Sequence, residues 1–215
     1  MGIAERKERE KQQRRESILD AAEHLFFTKG IENTTMDDVA EAAEFSKGTL
    51  YLYFKNRDDI AHGIYLRAME ILAGYFTQAL ETEGNGLCKV RAIGEAYYQF
   101  SKDQPNYFRE MNKMNPSSID MNDHECNGFQ CHLIAERVKA QVAQAVAIGI
   151  EDGSIRPQLD PRLTAFVLWG QASGIINIML QNGEHMRNHH GLNPDDMMPA
   201  MFDMIFHALR NIPGH

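Results

Sequence analysis

Between Thr35 and Lys55 the chain sets out hydroxyls, amines and one glycine at helical spacing. These groups bind phosphates and base edges; they do not break bonds. Ser46 caps a short helix in which Leu50 and Phe54, four apart, form the inner face. At 100° per residue Gly48, Thr49 and Leu52 then point away from the core. Gly48 has no side chain to hold a DNA backbone off. Thr49 offers a hydroxyl to a base edge and a methyl to a thymine methyl. Tyr51 and Tyr53 flank that surface with hydroxyls that reach phosphates or base edges. Lys47 stands on the first turn, Lys55 just past the helix, and Thr35 presents a hydroxyl and a helix start across the groove.

Two other chemistries have candidate residues in the chain. His124, Cys126, Cys131 and His132 gather imidazoles and thiols within nine residues, and His185, His189 and His190 follow in what reads as a polar loop. Zinc or copper accepts such groups. The spacing H-x-C-x4-C-H matches no established metal-site pattern, so separate thiols and solvated histidines are expected, with no metal and no cofactor. Catalysis has no foothold either. There is no Glu-x-x-His pair, no HExxH, no GxSxG and no phosphate-binding glycine loop. Asp59-x-x-His62 stands alone and reads as a surface pair. A scaffold without DNA affinity is the remaining class.

The elements that must carry these residues are helical throughout. Ile18, Ala22, Leu25 and Phe26 mark one face of a first helix that stops near Gly30. Thr35 caps a second, with Val39, Ala40 and Ala43 facing inward, and the third runs from Lys47 to Phe54. Two short helices about three residues apart, with small alanines at the crossing, make a helix-turn-helix. A longer helix begins at Asp58 and ends in the break at Glu83–Gly86. Further stretches follow around 87–102, 105–114 and 127–151. Asp160-Pro161 and Asn193-Pro194 each supply a cap and a proline for the last two helices. No run alternates, so no sheet is expected.

Composition fits this picture. Of 215 residues, 43% are hydrophobic and 24% charged, ordinary for a globular protein. Three cysteines at unhelpful spacings imply no disulfide framework and a reducing, cytoplasmic setting. The charged N-terminus leads into no signal-peptide core, and Phe166–Leu180 reads as too short and too polar to span a bilayer. The net charge of −8 argues alone against a nucleic-acid partner. Counterion release, however, depends on the charges that meet phosphates. Arg6, Lys7, Arg9, Lys11, Arg14 and Arg15 outnumber Glu5, Glu8 and Glu10 in the first fifteen residues.

From about Glu16 to Ile60 the chain resembles the DNA-binding domain of the TetR family of regulators. The likeness is carried by Ile18-Leu19-Asp20-Ala21-Ala22, Leu25-Phe26, Gly30, Thr34-Thr35, Val39-Ala40, Ser46-Lys47-Gly48-Thr49-Leu50-Tyr51 and Tyr53-Phe54-Lys55-Asn56-Arg57. The resemblance implies DNA contacts from Thr35, Ser46, Lys47, Gly48, Thr49, Tyr51, Tyr53 and Lys55. Two positions depart from the pattern. Glu44 stands where the turn usually has glycine, which forecasts a strained left-handed residue. Leu52 replaces a common polar or aromatic reader.

The resemblance implies an all-α protein: a basic arm at 1–13, a three-helix DNA-binding domain at 14–60 with a connecting helix to about 82, and a ligand-binding and dimerisation domain at 61–215. Family members pair through their last two long helices. Residues 161–182 are apolar nearly all round, and Gly170 and Gly174 allow close approach, so Phe166, Gly170, Gly174, Ile178, Met201 and Ile205 are assigned to a homodimer interface. Met197, Met204 and Ala208 extend that stripe. Similar proteins also keep an effector pocket in the body. Tyr97, Tyr98, Tyr107, Phe108, Met111, Phe129, Trp169 and Met179, with Phe100 and Met114, supply aromatic and methionine walls for an apolar small molecule. The expected function is a repressor released from a palindromic DNA operator by that effector.

Overall fold

The computed structural model describes residues 2–113, 123 and 126–212. Among them are nine α-helices: α1 (Ile3–Lys29), α2 (Met36–Ala42), α3 (Lys47–Tyr51), α4 (Arg57–Leu80), α5 (Gly86–Asp103), α6 (Pro105–Met111), α7 (Asn127–Glu151), α8 (Pro161–His185) and α9 (Met197–Leu209). No strand forms among the described residues; Ile155 and Arg210 make an isolated antiparallel bridge. The fold is all-α, as the lack of alternation forecasts.

The helices divide into two compact units. The first takes described residues within Met1–Ala68 and Met114–His132, the second within Met69–Lys113 and Leu133–His215. Helices α4 and α7 contribute residues to both.

In the first unit α1 buries Ile18, Leu19, Ala22, Leu25 and Phe26. Its first half is exposed and carries the basic residues set apart above as an arm. They are helical, held by i,i+4 pairs such as Arg6–Glu10 at 2.8 Å and Gln12–Glu16 at 2.6 Å. Gly63 lets α4 cross α1 closely, since a Cβ there would stand 2.7 Å from a Leu19 methyl. The N-caps follow the sequence. The Asp38 amide donates to Thr35 Oγ1 at 3.1 Å, and the Thr49 amide to Ser46 Oγ at 3.1 Å.

Two details differ from expectation. Helix α3 ends at Tyr51, three residues early. The Leu52 and Tyr53 amides reach back only three residues, to Thr49 and Leu50, and this tightened turn still carries Phe54 into the core, 1% exposed. Between α2 and α3, Glu44 adopts φ +58°, and the Phe45 amide donates to the Ala40 carbonyl at 3.0 Å. That is the left-handed helix ending anticipated for glycine, here closed by a glutamate.

The second unit packs Phe76 of α4, Tyr97 and Phe100 of α5, Phe108 of α6 and Val138, Val142 and Val146 of α7 into one core. Asp160 caps α8, accepting from the Leu163 amide at 2.7 Å. Asn193 caps a 3-10 turn at Pro194–Asp196, and α9 begins only after it. The apolar run on α8 is longer than the sequence reading held. By length and composition an 18-residue window within 161–190, of mean hydropathy 1.5, is long and apolar enough to cross a membrane. One face of α8 is spent inside the unit, where Ala165, Ala172, Ser173 and Ile176 are buried.

Candidate DNA-contacting edge and helical body

Gly48 and Leu52 face outward as the helical wheel requires, whereas Thr49, expected beside them, is half-buried. Leu50 is fully buried and anchors the helix, so Ser46, Lys47, Gly48 and Tyr51 are exposed while Thr49 is half-buried. A Cβ on Gly48 would meet only Ser46 Oγ at 3.9 Å, which leaves open space over the helix. Thr49 Oγ1 lies 2.8 Å from Ser46 Oγ. Leu52 is the most projecting apolar group nearby, 80% exposed. Tyr53 is half-buried and Lys55 exposed.

Three partners at this edge were not visible in the sequence. Lys47 Nζ lies 2.7 Å from Asp37 Oδ1, and Lys55 Nζ donates to Asp123 Oδ2 at 2.5 Å. Each carboxylate hydrogen-bonds its lysine and holds the ammonium pKa above its usual value. Thr35 is exposed, but its hydroxyl donates to Asp38 Oδ2 at 2.8 Å, and Asp38 also accepts from the Thr35 amide at 2.8 Å. Those bonds lower the Asp38 pKa, so an anion already sits at the start of α2. Asp123, 68 residues from Lys55, carries no local signal, and neither does the pairing of Lys47 with Asp37 across the turn.

Behind the edge runs a polar network. Arg15 donates to Asn127 Oδ1 at 2.6 Å, and Asn127 Nδ2 donates to the Asp59 carbonyl at 2.9 Å and to Asp59 Oδ1 at 2.8 Å. Asp59 Oδ2 in turn accepts from the Lys55 amide at 3.0 Å. Asp59 and His62 are therefore not a surface pair. Asp59 ties the start of α4 to α1 and α7, and His62 is half-buried. Arg67 gathers Glu16, Asp20 at 2.8 Å and Glu23 at 3.0 Å. Burial opposes its charge, yet the three carboxylates hold its pKa above the usual arginine value.

The thiol and imidazole group does not assemble into a site among the described residues, where no cluster of three or more His, Cys, Asp or Glu side chains could hold a metal. Cys131 is buried, donates to the His62 carbonyl at 3.2 Å, and burial pushes its pKa up to about 12. Cys126 Sγ accepts from the Phe129 amide at 3.2 Å, and the His132 ring stands 6.5 Å from Phe129. His124 lies outside the described residues. His185, His189 and His190 occupy a helical end and not a loop, with His185 4.6 Å and 5.2 Å from the other two rings.

In the second unit the expected pocket residues separate. Tyr97 and Trp169 line a cavity of about 40 Å³ together with Phe76, Val90, Ile93 and Ala172, none of which the sequence reading had chosen. Tyr97 donates to or accepts from Ser173 Oγ at 2.9 Å, and burial pushes its pKa up to about 12. Phe108 and Met111 are buried, with the Phe108 ring 5.5 Å from Tyr97. Phe100 is buried too. Tyr98 instead lies under Lys102 at 3.9 Å, Tyr107 and Met179 are half-buried, and Phe129 belongs to the first unit. Met114 is outside the described residues.

A larger groove of about 810 Å³ runs along α8 and α9. Gly170, Gly174 and Ile178 line it beside Leu163 and Val167, while Met201 and Ile205 form its floor and are buried. The α9 stripe thus splits: Met198, Met201, Ile205 and Leu209 face inward, and Met204 stands out, 71% exposed. Phe166 does not line this groove; it faces a second cleft between α7 and α8.

Residues 18–64 match the model of the bacterial regulatory proteins of the tetR family. Over 158 residues the chain is 28% identical to the uncharacterized HTH-type transcriptional regulator YhgD of Bacillus subtilis, covering 72% of this chain and 78% of that one. The TetR-family regulator PfmR of Thermus thermophilus has the same fold, with TM-score 0.64 and 23% identity over 88% of this chain and 97% of that chain. AibR in complex with isovaleryl coenzyme A and operator DNA aligns with TM-score 0.63 and 19% identity, covering 90% and 98%. The protein is therefore a helix-turn-helix transcriptional regulator that binds DNA, and not an enzyme. Its residues 18–64 are similar to the DNA-binding part of the tetR-family regulators.

Proposed function

We propose that two copies of the chain pair through α8 and α9 and read a palindromic operator, with the first unit as reader and the second as the dimerising, effector-binding body. The outward Gly48–Thr49 edge carries this reading. In it Ser46, Lys47, Gly48, Thr49, Tyr51 and Tyr53 meet bases and phosphates in the major groove, and Lys55 and Thr35 meet the flanking backbone. A two-fold reader must place two such edges about 34 Å apart, and the apolar α8–α9 groove is suited to a partner's identical pair of helices. Bound dimer blocks transcription at its operator in the cytoplasm.

The effector is a small, largely apolar molecule held in the body around Tyr97 and Trp169. AibR, of the same fold, has been seen in complex with isovaleryl coenzyme A and operator DNA, which supports effector control. The cavity, about 40 Å³, is far below the several hundred Å³ of ordinary ligand sites, so an effector of that size needs it to enlarge. Effector binding favours an enlarged state, shifts α4, and lowers operator affinity in proportion to its preference for that state. Titrating the dimer onto duplex DNA from upstream of its own gene tests the reading. Affinity that falls steeply with salt and drops on adding an apolar effector is expected; salt-independent binding, or none, contradicts it.

A further inference from the structure

The second unit holds an anion-seeking cleft that the regulator reading leaves unused. It lies between α7 and α8, has a volume of about 420 Å³, and is lined by Arg137, Lys139, Arg162 and Phe166 with Glu136 as its one acid. Arg137 and Arg162 are exposed, and neither makes an ion pair or hydrogen bond with a described residue. Lys139 is the one cation already engaged, paired with Glu136, and its ammonium stands 4.8 Å over the Phe166 ring. Ala140, Ala143 and Ala165 keep the floor small.

The surroundings make this pattern informative. From residue 61 onward the chain carries 17 acidic and 12 basic residues, and elsewhere in the body Arg91 and Lys113 are matched by Glu95 and Glu110. Two unmatched guanidinium groups and a lysine in one cleft leave a local net charge of +2 once Glu136 is counted, against that acidic background. A guanidinium fork fits a carboxylate or phosphate through two parallel hydrogen bonds. Phe166, 54% exposed, adds a flat apolar wall beside the cations.

We propose that this cleft binds a small organic acid, a carboxylate or phosphate attached to a flat or apolar group. The acid lies between Arg137 and Arg162, and the apolar part covers Phe166 and the alanine floor. The site is separate from the cavity at Tyr97 and Trp169, so it does not depend on how that cavity is used. Phenyl phosphate is the probe, with inorganic phosphate and benzyl alcohol as its two halves, titrated calorimetrically into the full chain. Phenyl phosphate is expected to bind at least tenfold more tightly than either half. The double variant Arg137→Gln/Arg162→Gln should lose at least tenfold in that affinity, while Arg109→Gln, away from the cleft, should not. Phe166→Ala should weaken phenyl phosphate and leave inorganic phosphate unchanged. Absence of phenyl phosphate binding, or equal binding by the double variant, overturns the proposal. So does a double variant that turns monomeric in sedimentation while the parent ignores all three probes, because the cleft would then serve a second copy of the chain.

Discussion

Lys47 on α3 and Asp37 on α2 meet across the helix corner, with Nζ 2.7 Å from Oδ1. Both side chains are well exposed, so the pair adds little to folding. Its weight falls on DNA binding, because a phosphate must displace or share the carboxylate. Asp37→Asn should raise DNA affinity by about fivefold at low salt, the value of about 1 kcal/mol for one charge contact in water, and leave the melting temperature unchanged. The gain should shrink as salt rises. Titration at two salt concentrations decides it; unaltered affinity would mean that Lys47 does not meet phosphate.

Glu44 holds a left-handed conformation, φ +58°, that glycine accepts freely. Glu44→Gly should therefore stabilise the chain by about 0.5–1 kcal/mol, the left-handed cost less the extra freedom of unfolded glycine. A chemical-denaturation midpoint that falls would show that the glutamate side chain does more than occupy the turn.

Val167 is half-exposed on the α8–α9 groove. Val167→Glu places a charge where the partner's helix would lie without disturbing the chain's own core. Sedimentation should show monomers with unchanged helix content, and operator affinity should fall at least tenfold as the second half-site is lost. A variant that stays dimeric would move the interface elsewhere.

His62 is half-buried, and burial pushes its imidazole below the ordinary 6.5, with Asp59 and Asp58 opposing. The fold thus favours the neutral ring, and the unfolded chain takes up the proton first. The stability tied to His62 is complete above pH 6.5 and is lost as pH falls through the lowered folded-state value. Urea midpoints measured from neutral to mildly acidic pH should decline, and His62→Gln should flatten that part of the curve. An equal decline in the variant would assign the effect to other groups.

Much of this was legible because its causes are local. The caps at Thr35, Ser46 and Asp160 act within three residues, and the phase of α3 follows from Leu50 and Phe54 alone. The strain at Glu44 was readable from the absence of glycine. Long-range partnerships were not. Nothing near Lys55 announces Asp123, and nothing near Arg15 announces Asn127. The pocket residues failed for a related reason. Aromatic side chains at helical spacing mark burial, but which of them border an empty space depends on how five helices meet. Tyr98 and Tyr97 are adjacent in sequence, yet one lies under Lys102 and the other lines the cavity.

Gly48→Gln tests the central claim most directly. The open space over Gly48 accepts the new side chain, and glutamine suits a helix better than glycine by up to about 1 kcal/mol. The melting temperature should hold or rise while operator affinity falls at least tenfold, because the side chain fills the gap through which the helix approaches the groove. Full operator affinity in a stably folded Gly48→Gln protein would contradict the assignment of this edge to DNA.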